Sequence, residues 1–569
     1  MTQQRQAKTD GILRAGALAG LLIFLLIQVF PFIREIAKEP FRVLTRGEIR
    51  QRAEMLAAGR FGADPGQNGP PDVTYVSDST TVAYFSRHRL LEEYEKTWYD
   101  DFPADTYRAD RLLDDGSRLT LYFHMESGNL VAWEHEAAAG DEGFPSSARP
   151  EEALSWAAEW GIRPGDWEPL TPSGGESDGE FVYRHRAGPV GETGLLLTVR
   201  PPLPGGADGP FAGGKIAYRY ELPEAFTAEL ERQKELAIQW TTFGSMLPQA
   251  AMLVLAVIFA SLCGKYTSFR RGWLPAVVTY FLYVVVTANM WAGFRAELLS
   301  GGFPKAEADF GALVTVAASM VIELGTALTL YFCTVAGDGL WNRMEPGVRL
   351  WPEWREADYG ERAYAAMKRG YLVAFILLGL QAVIFLALDW GLGSFVTTDA
   401  SQATYNMVYP WMFPLLGWWA AVTEEIQYRF FGIGIMRYWL IGLAALLLRR
   451  GPSARTAAVL TWLAMIPPNL VWAFGHVSYS IYPVYSRLIE LVLLGFLIGW
   501  CMIRFGLLAA IFAHAALDGI LIGTQLFMDG MPGDGWAAAL SMASPALAGW
   551  WIFRLHRRRM RQTPAGSAV

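Results

Sequence analysis

Long apolar runs recur along most of the chain and predict membrane-spanning helices. One run lies near the start, a mixed polar region follows, and nine further runs occupy the rest of the sequence. Most runs have the roughly 20 residues that a helix needs to cross the hydrocarbon core of a bilayer. The pattern predicts a polytopic α-helical membrane protein with about ten spans. The runs are residues 15–32, 243–264, 273–294, 310–335, 371–390, 407–436, 456–476, 483–503, 506–527 and 536–553.

The polar region, residues 34–239, contains no apolar run of membrane length. Its segments TLYFHM, EFVYRHR, LLLTVRP and KIAYRYEL alternate between apolar and polar positions, which is typical of half-buried strands. Two amphipathic helical patterns, GEIRQRAEMLAAGRFG and RPEEALSWAAEWGI, each precede a group of strands. The region therefore predicts an inserted α+β domain. It resembles two degenerate repeats of the PepSY type, and a single unrelated α+β domain fits the same pattern.

The first apolar run follows Arg5, Lys8 and Arg14, as the apolar part of a signal peptide would. Its exit reads PFIREIAKEPF and contains no small-x-small cleavage site. We therefore expect an uncleaved anchor.

Basic loops predict how the chain is oriented in the membrane. The segments KYTSFRRG, NRMEPGVRLWPEWR, LLLRRGPSAR and RLHRRRMRQ follow the second, fourth, sixth and last spans, so alternating spans bring all four to one side. Because Lys and Arg accumulate in cytoplasmic loops, both termini are predicted to be cytoplasmic. Residues 34–239 are then extracytoplasmic, and the expected location is the plasma membrane.

Composition supports a membrane protein and excludes several functions. Hydrophobic residues make up 52% of the 569 residues and charged residues 18%. The net charge of -7 gives no signal for nucleic-acid binding. All three cysteines lie in apolar runs, which implies no disulfide framework. Walker A, G-x-S-x-G and dinucleotide-binding motifs are absent, so the sequence does not support a function as an ATPase, a serine esterase or an NAD-dependent enzyme.

The segment TEEIQYRFFG, residues 423–432, places charged side chains in or beside the sixth apolar run. Charges at this depth usually face an interior cavity or a partner. Glu425 and Arg429 are spaced i,i+4 and can form an ion pair. Glu424 is left without its own cation, as suits a general acid or base in an apolar cavity. An ordinary charge cluster at a helix end is the alternative interpretation.

Two of the seven histidines lie in or next to the predicted membrane core. His476 ends the motif WAFGH, and His514 begins HAALD, in which Asp518 is placed four residues later on the same helix face. A single intramembrane histidine is usually a packed residue with one hydrogen bond. Two histidines together with three acids and an arginine favour a functional site.

These motifs resemble those of the CPBP intramembrane proteases, a family that includes type II CAAX prenyl proteases and bacteriocin-processing proteins. EEIQYR matches Glu-Glu-x-x-x-Arg, WAFGH matches Phe-x-x-x-His with Trp472 in place of Phe, and HAALD matches His-x-x-x-Asn/Asp. The resemblance covers roughly residues 371–527. It implies an intramembrane endopeptidase that acts on a membrane-associated peptide or protein.

The resemblance also implies roles for the motif residues. Glu424 and His476 would activate a water that attacks the scissile carbonyl, and His514 and Asp518 would bind the developing oxyanion or hold the geometry of the site. The remaining motif residues would be structural or would orient the substrate; they are Glu425, Arg429 and Trp472, the last expected as an aromatic wall.

The same residues also allow a metal ion and two other functions. Glu424, His476, His514 and Asp518 have the ligand types of a zinc site with an open position, although the chain has no His-Glu-x-x-His motif. A non-catalytic scaffold or immunity protein of the same fold is one alternative function. An ion-coupled transporter is the other, because further acids lie in apolar runs. These acids are Glu323, Asp389 and Glu490.

The predicted regions follow from the spans and the motifs. They are a tail and anchor at 1–33, the α+β domain at 34–239, additional spans and a cytoplasmic loop at 240–370, a protease-like core at 371–555 and a basic cytoplasmic tail at 556–569. Straight spans would place His476 near the outer face, away from Glu424 and His514. A break at Pro467-Pro468, or a dip of the run WLIGLAALLL into the membrane, would bring the three together.

Overall fold

The computed structural model describes residues 3–36, 42–63, 69–113, 115–136, 149–170, 179–186, 189–202 and 211–562. Helices dominate this part of the chain. They are α1 (Gln3–Phe24), α2 (Phe30–Ile36), α3 (Arg46–Phe61), α4 (Ser79–His88), α5 (Leu91–Thr97), α6 (Pro150–Ala157), α7 (Glu224–Thr241), α8 (Leu247–Leu262), α9 (Trp273–Asn289), α10 (Trp291–Ser300), α11 (Lys305–Met344), α12 (Tyr359–Leu392), α13 (Pro414–Glu424), α14 (Gly434–Leu448), α15 (Ala454–Leu463), α16 (Ile466–Phe474), α17 (Val484–Phe505), α18 (Leu507–Met528) and α19 (Asp534–Gln562).

Within the described residues, nine helical segments are long and apolar enough to cross a membrane. Each overlaps one of the predicted spans, so the polytopic helical class is confirmed. The nine segments are Asp10–Arg34, Glu224–Leu262, Phe269–Asn289, Lys305–Met344, Tyr359–Leu392, Pro410–Leu448, Ala454–Phe474, Val484–Phe505 and Leu507–Met528.

The tenth predicted span is also helical but is not among those nine segments. It lies in α19, where Pro545 sits inside the helix and small and polar residues lower the hydropathy of the apolar stretch. The predicted basic tail continues α19 as far as Gln562, and residues 563–569 lie outside the described part of the chain. The exit of the first apolar run is described only as far as Ile36.

Between the first two spans lies an eight-stranded antiparallel sheet in the order β1-β2-β3-β4-β8-β7-β6-β5. The four alternating segments lie in β3, β6, β7 and β8, as the period of two indicates. The two halves of the sheet meet between β4 and β8, which is compatible with two repeats; the repeats remain a prediction. The strands are β1 (Asp72–Ser77), β2 (Asp105–Leu112), β3 (Arg118–His124), β4 (Leu130–Glu136), β5 (Trp167–Pro169), β6 (Phe181–His185), β7 (Gly194–Arg200) and β8 (Lys215–Glu221).

We call β1–β8 and helices α3–α6 the sheet region. Both helices predicted in it are present, as α3 and α6. Helix α3 begins with a capping box, in which Thr45 and Glu48 satisfy each other's backbone N–H groups. Its apolar face, with Ile49 and Ala53, joins one core with sheet residues such as Leu121 and Trp133. The sheet region therefore has a hydrophobic core, which continues into the helical part of the chain at residues such as Phe395 and Val477.

The sheet region is docked onto the membrane helices along the edge strand β1. The side chain of Asn406 accepts a hydrogen bond from Tyr75 N–H at 2.9 Å and donates one to the Tyr75 carbonyl, also at 2.9 Å. Arg295, buried on α10, forms ion pairs of 2.6 Å with both Asp72 and Asp309. These contacts pair the exposed strand edge and fix the sheet region against the helices.

Two of the membrane helices approach each other closely through a glycine. A Cβ atom on Gly417 of α13 would lie 2.8 Å from the Cβ atom of Asp518 of α18. Small residues let helices pack at this distance in a membrane. The glycine thus allows α13 and α18, which carry motif residues, to bring their side chains together.

We expect Gly417→Ala to lower the free energy of unfolding by about 1–3 kcal/mol, since the added methyl group overpacks this contact. Gly442→Ala in α14 is the control, because a Cβ atom there would meet nothing within 4 Å. Denaturation of both variants in detergent micelles tests the prediction, which fails if Gly417→Ala is as stable as Gly442→Ala.

Candidate active site

A single helical segment, Pro410–Leu448, carries Glu424, Glu425 and Arg429. Helix α13 ends at Glu424, residues Glu425–Ile433 form a π-helix, and α14 continues to Leu448. Every residue of the π-helical part is buried. Stretches of π-helix are rare and often occur at functional sites. The run WLIGLAALLL continues this helix as part of α14, so it does not form the separate dip considered from the sequence.

A break in the next span brings His476 to the site. A turn at Ala464 and Met465 separates α15 from α16, and α16 starts with Pro467 and Pro468 in its first turn. Proline fits the first turn of a helix because its missing N–H has no helical partner there. This is the predicted break at the two prolines. His476 follows the end of α16.

Two histidines flank the carboxylate of Glu424. His476 Nε2 lies 3.4 Å from Glu424 Oε1, and His514 Nε2 lies 3.9 Å from Glu424 Oε2. Asp518 Oδ2 lies 3.5 Å from the same nitrogen of His514. The structure therefore brings the four candidate catalytic residues together. The side chains of His476 and Asp518 are 18% and 23% exposed, so the cluster is not sealed.

His476 is oriented through its other ring nitrogen. Its Nδ1 lies 2.8 Å from the Trp472 carbonyl oxygen, which can only accept a hydrogen bond, so Nδ1 carries the proton. In the neutral ring Nε2 then has a lone pair that faces Glu424. A hydrogen bond between Nε2 and the carboxylate requires one added proton, and the pair can thus take up and release a single proton.

His514 has carboxylates at both ring nitrogens. Nδ1 lies 2.8 Å from Glu425 Oε1, while Nε2 faces Asp518 and Glu424. The protonated ring can donate to both sides. Glu425 thus orients His514 so that an N–H group points toward the space beside Glu424.

The ion pair predicted from the i,i+4 spacing of Glu425 and Arg429 is present next to this cluster. Arg429 Nη1 lies 3.4 Å from Glu425 Oε1, and the side chains of both residues are 0% exposed. The guanidinium of Arg429 also stacks on the ring of Trp472, with 3.8 Å from its central carbon to the ring centroid. Arg429 therefore balances the charge of Glu425 and packs against the Trp472 ring beside the site.

Trp472 has a polar role in addition to the predicted aromatic wall. Its indole Nε1–H donates a hydrogen bond to Glu424 Oε2. The phenylalanine of the family motif has no such donor. This contact could have been predicted from the sequence, because a buried indole N–H is usually paired with an acceptor.

We expect Trp472→Phe to lower turnover about tenfold while substrate affinity stays unchanged, because the ring remains and only a charge-assisted hydrogen bond to Glu424 is lost. Separate measurement of kcat and KM on a cleaved substrate tests this expectation. Trp419→Phe is the matched control, since Trp419 Nε1 donates to Glu323, which has no part in the cluster. Equal turnover of Trp472→Phe and the wild type would contradict the assigned contact.

Sequence reasoning missed Tyr479, whose ring stacks on that of His476 with centroids 5.6 Å apart and an angle of 9° between the planes. The Arg487 guanidinium lies 5.2 Å from the Tyr479 ring and forms a 2.6 Å ion pair with Glu490. Gln381 donates to Glu490 at 2.7 Å. Glu490 thus reaches the site only indirectly, through this series of contacts.

The other intramembrane acids singled out from the sequence lie elsewhere. Glu323 accepts its hydrogen bond from Trp419 at 2.8 Å, and Asp389 pairs with Arg89 of the sheet region at 3.1 Å on the surface. Among the described residues, neither forms a hydrogen bond or ion pair with Glu424, His476 or His514. The acids thus form separate sites, whereas a proton relay would need neighbouring acids.

The arrangement does not fit a metal ion. Across the described ranges, no group of three or more His, Cys, Asp or Glu residues is arranged to hold one. Trp472 donates to the oxygen of Glu424 that faces His514, and the Nδ1 atoms of His476 and His514 are bonded to the Trp472 carbonyl and to Glu425.

The segment that carries this cluster matches the model of a known protein family. Residues 405–520 match the family model described as Type II CAAX prenyl endopeptidase Rce1-like. The predicted resemblance to type II CAAX prenyl proteases is confirmed over this segment. All seven motif residues lie inside it, and the sheet region and helices α1–α12 lie outside. No curated protein and no solved structure gives a significant match.

Proposed function

We propose that the protein is an intramembrane endopeptidase that hydrolyses a peptide bond in a membrane-associated protein or peptide. The observation that carries the proposal is the convergence of two histidines from separate helical segments on the carboxylate of Glu424, at 3.4 and 3.9 Å. The match to a prenyl endopeptidase family over residues 405–520 supports the same class of reaction.

The proposed reaction begins with a water beside Glu424 and His476. Glu424 takes a proton from this water, and the resulting hydroxide adds to the carbonyl carbon of the scissile bond. The protonated pair then gives that proton to the leaving nitrogen as the C–N bond breaks. One water and one peptide bond yield a carboxylic acid and an amine, so atoms and charges balance.

The proposed role of His514 is to stabilise the oxyanion that forms on the carbonyl oxygen. Its Nε2–H group points into the space between Glu424 and Asp518, and Glu425 fixes the ring from the other side. A fixed donor in a buried site stabilises developing charge more strongly than water does. Asp518 Oδ2, 3.5 Å from the same nitrogen, helps to hold the ring in this position.

The orientation in the membrane is also part of the proposal. The sheet region contacts the segment that precedes α13, through Asn406 and Thr397. Thr397 also bonds to Ser480, so the sheet region lies on the same face as the His476 loop. The basic loops after α8, α11 and α14 lie at the opposite helix ends. With those loops cytoplasmic, the sheet region and the His476 side are extracytoplasmic.

The test compares the membrane proteomes of cells carrying the wild type and Glu424→Ala at equal protein levels. Peptides or shortened proteins found only with the wild type would identify the substrate and its cleavage site. Cleavage of that substrate by purified wild-type protein, and not by Glu424→Ala, would confirm the proposal. If purified wild-type protein and Glu424→Ala act equally on every candidate substrate, the proposal is wrong and a scaffold role is favoured.

A further inference from the structure

The loop that carries His476 is held by a small two-stranded sheet. Its strand β10 (Ile481–Tyr482) pairs antiparallel with β9 (Phe395–Val396) in the segment after α12. Next to this pair, Thr397 N–H donates to the Ser480 carbonyl at 3.0 Å. The position of His476 is thus tied to residues 395–406, which we call the clasp.

The clasp is fastened to the sheet region by side-chain hydrogen bonds. The hydroxyl of Thr397 donates to the Ser79 carbonyl, and the hydroxyl oxygens of Thr398 and Ser77 lie 2.5 Å apart. Thr397 therefore contacts the sheet region with its side chain and the His476 loop with its backbone. A single residue connects the two.

Asn406 forms a further attachment at the other end of the clasp. Its side chain is fully buried, satisfies both backbone groups of Tyr75 in β1 and donates to the Ala400 carbonyl at 3.0 Å. Buried backbone groups are costly to leave unpaired, so this side chain holds the clasp against the edge of the sheet.

A second connection reaches the His476 loop from α7, the helix that follows β8 directly. Gln233 Oε1 accepts a hydrogen bond from Val484 N–H at 3.0 Å, at the end of the loop. The loop is thus attached at two points, to the clasp at Ser480 and to α7 at Val484. Inside it, Tyr479 stacks on the imidazole of His476.

We infer that the sheet region regulates the site by holding His476 beside Glu424 through the clasp, so that release of the clasp from β1 moves His476 away and stops cleavage. The inference rests on the proposed function. A change in the sheet region, such as the binding of a partner, would then act on the chemistry without touching the reacting groups.

The first test is hydrogen exchange in the full-length protein in nanodiscs, which needs no substrate. In Asn406→Ala we expect the backbone N–H groups of residues 475–483, all but Pro483, to exchange about tenfold faster or more, as local opening becomes easier. Asn289→Ala is the matched control, because Asn289 pairs in the same way with both backbone groups of Tyr409. Within the described ranges it has no hydrogen bond to the sheet region or the His476 loop. It should leave residues 475–483 unchanged.

The second test restores the attachment with a reversible covalent bond. The hydroxyl oxygens of Ser77 and Thr398 are close enough for cysteines at these positions to form a disulfide. The natural cysteines, Cys263, Cys333 and Cys501, are buried and should not interfere. In Asn406→Ala with S77C and T398C, oxidation should return both the exchange of residues 475–483 and the cleavage rate to wild-type values, and reduction should reverse both.

The inference is wrong if Asn406→Ala exposes residues 395–406 to exchange while residues 475–483 keep wild-type protection. It is also wrong if the oxidised disulfide restores protection of the clasp without restoring that of the loop. If Asn406→Ala does not fold, Thr397→Val removes only the hydroxyl bond to Ser79 and is judged by the same two criteria. The two proposals can fail separately. If the wild type cleaves no substrate but Asn406→Ala shows the expected exchange, the proposed function is wrong, and the coupling between the clasp and the His476 loop is still supported.

Discussion

Glu424→Gln is expected to lower turnover by about 10²–10⁴-fold without lowering the stability of the protein. Glutamine has the same size, and its amide oxygen can still accept the hydrogen bond from Trp472. The amide cannot take a proton from water, however, so the general base is lost. Turnover is measured on the substrate found by comparing membrane proteomes, and stability by denaturation in micelles.

Glu323→Gln is the matched control for this prediction. Glu323 is also a buried intramembrane glutamate that accepts a hydrogen bond from a tryptophan indole. It belongs to no cluster with histidines, so its neutralisation should leave turnover unchanged. If Glu424→Gln and Glu323→Gln had the same turnover, Glu424 would not be the base. Loss of turnover in both variants would point to a general effect of removing an intramembrane charge.

The hydrophobic pattern predicted the helical class well, because the bilayer sets the length of an apolar segment whatever the neighbouring helices do. Residues 243–264, for example, lie within Glu224–Leu262 and the two residues that follow it. The predicted run and the observed segment differ at their first residue, because the amphipathic helix α7 continues into α8 without a break. Hydropathy alone cannot mark that junction.

The seven motif residues could be placed on helices from the sequence, but not relative to one another. The i,i+4 spacing of Glu425 and Arg429 correctly indicated their ion pair, since that contact is local. The approach of His476 to Glu424 depends on the break before α16 and on the clasp, both of which are tertiary. Tyr479 had no sequence signal, because an aromatic residue in a loop beside the membrane is common.

The pairing of Glu425 with Arg429 leads to the second large expected effect. Glu425→Leu leaves the guanidinium of Arg429 fully buried without its carboxylate. Removal of one partner of a buried ion pair typically costs about 3–5 kcal/mol of stability. The same substitution removes the acceptor of His514 Nδ1, so cleavage should fall as well.

The double variant Glu425→Leu/Arg429→Met separates these two effects. Replacing both charges with apolar side chains of similar volume removes the uncompensated guanidinium, and we expect most of the lost stability to return. Cleavage should not return, because His514 still lacks the carboxylate that orients it. The free energy of unfolding in micelles and the turnover on the identified substrate are measured for the wild type, both single variants and the double variant. A double variant with full turnover would show that Glu425 acts only through Arg429, and a Glu425→Leu variant of wild-type stability would show that the buried pair contributes nothing to the fold.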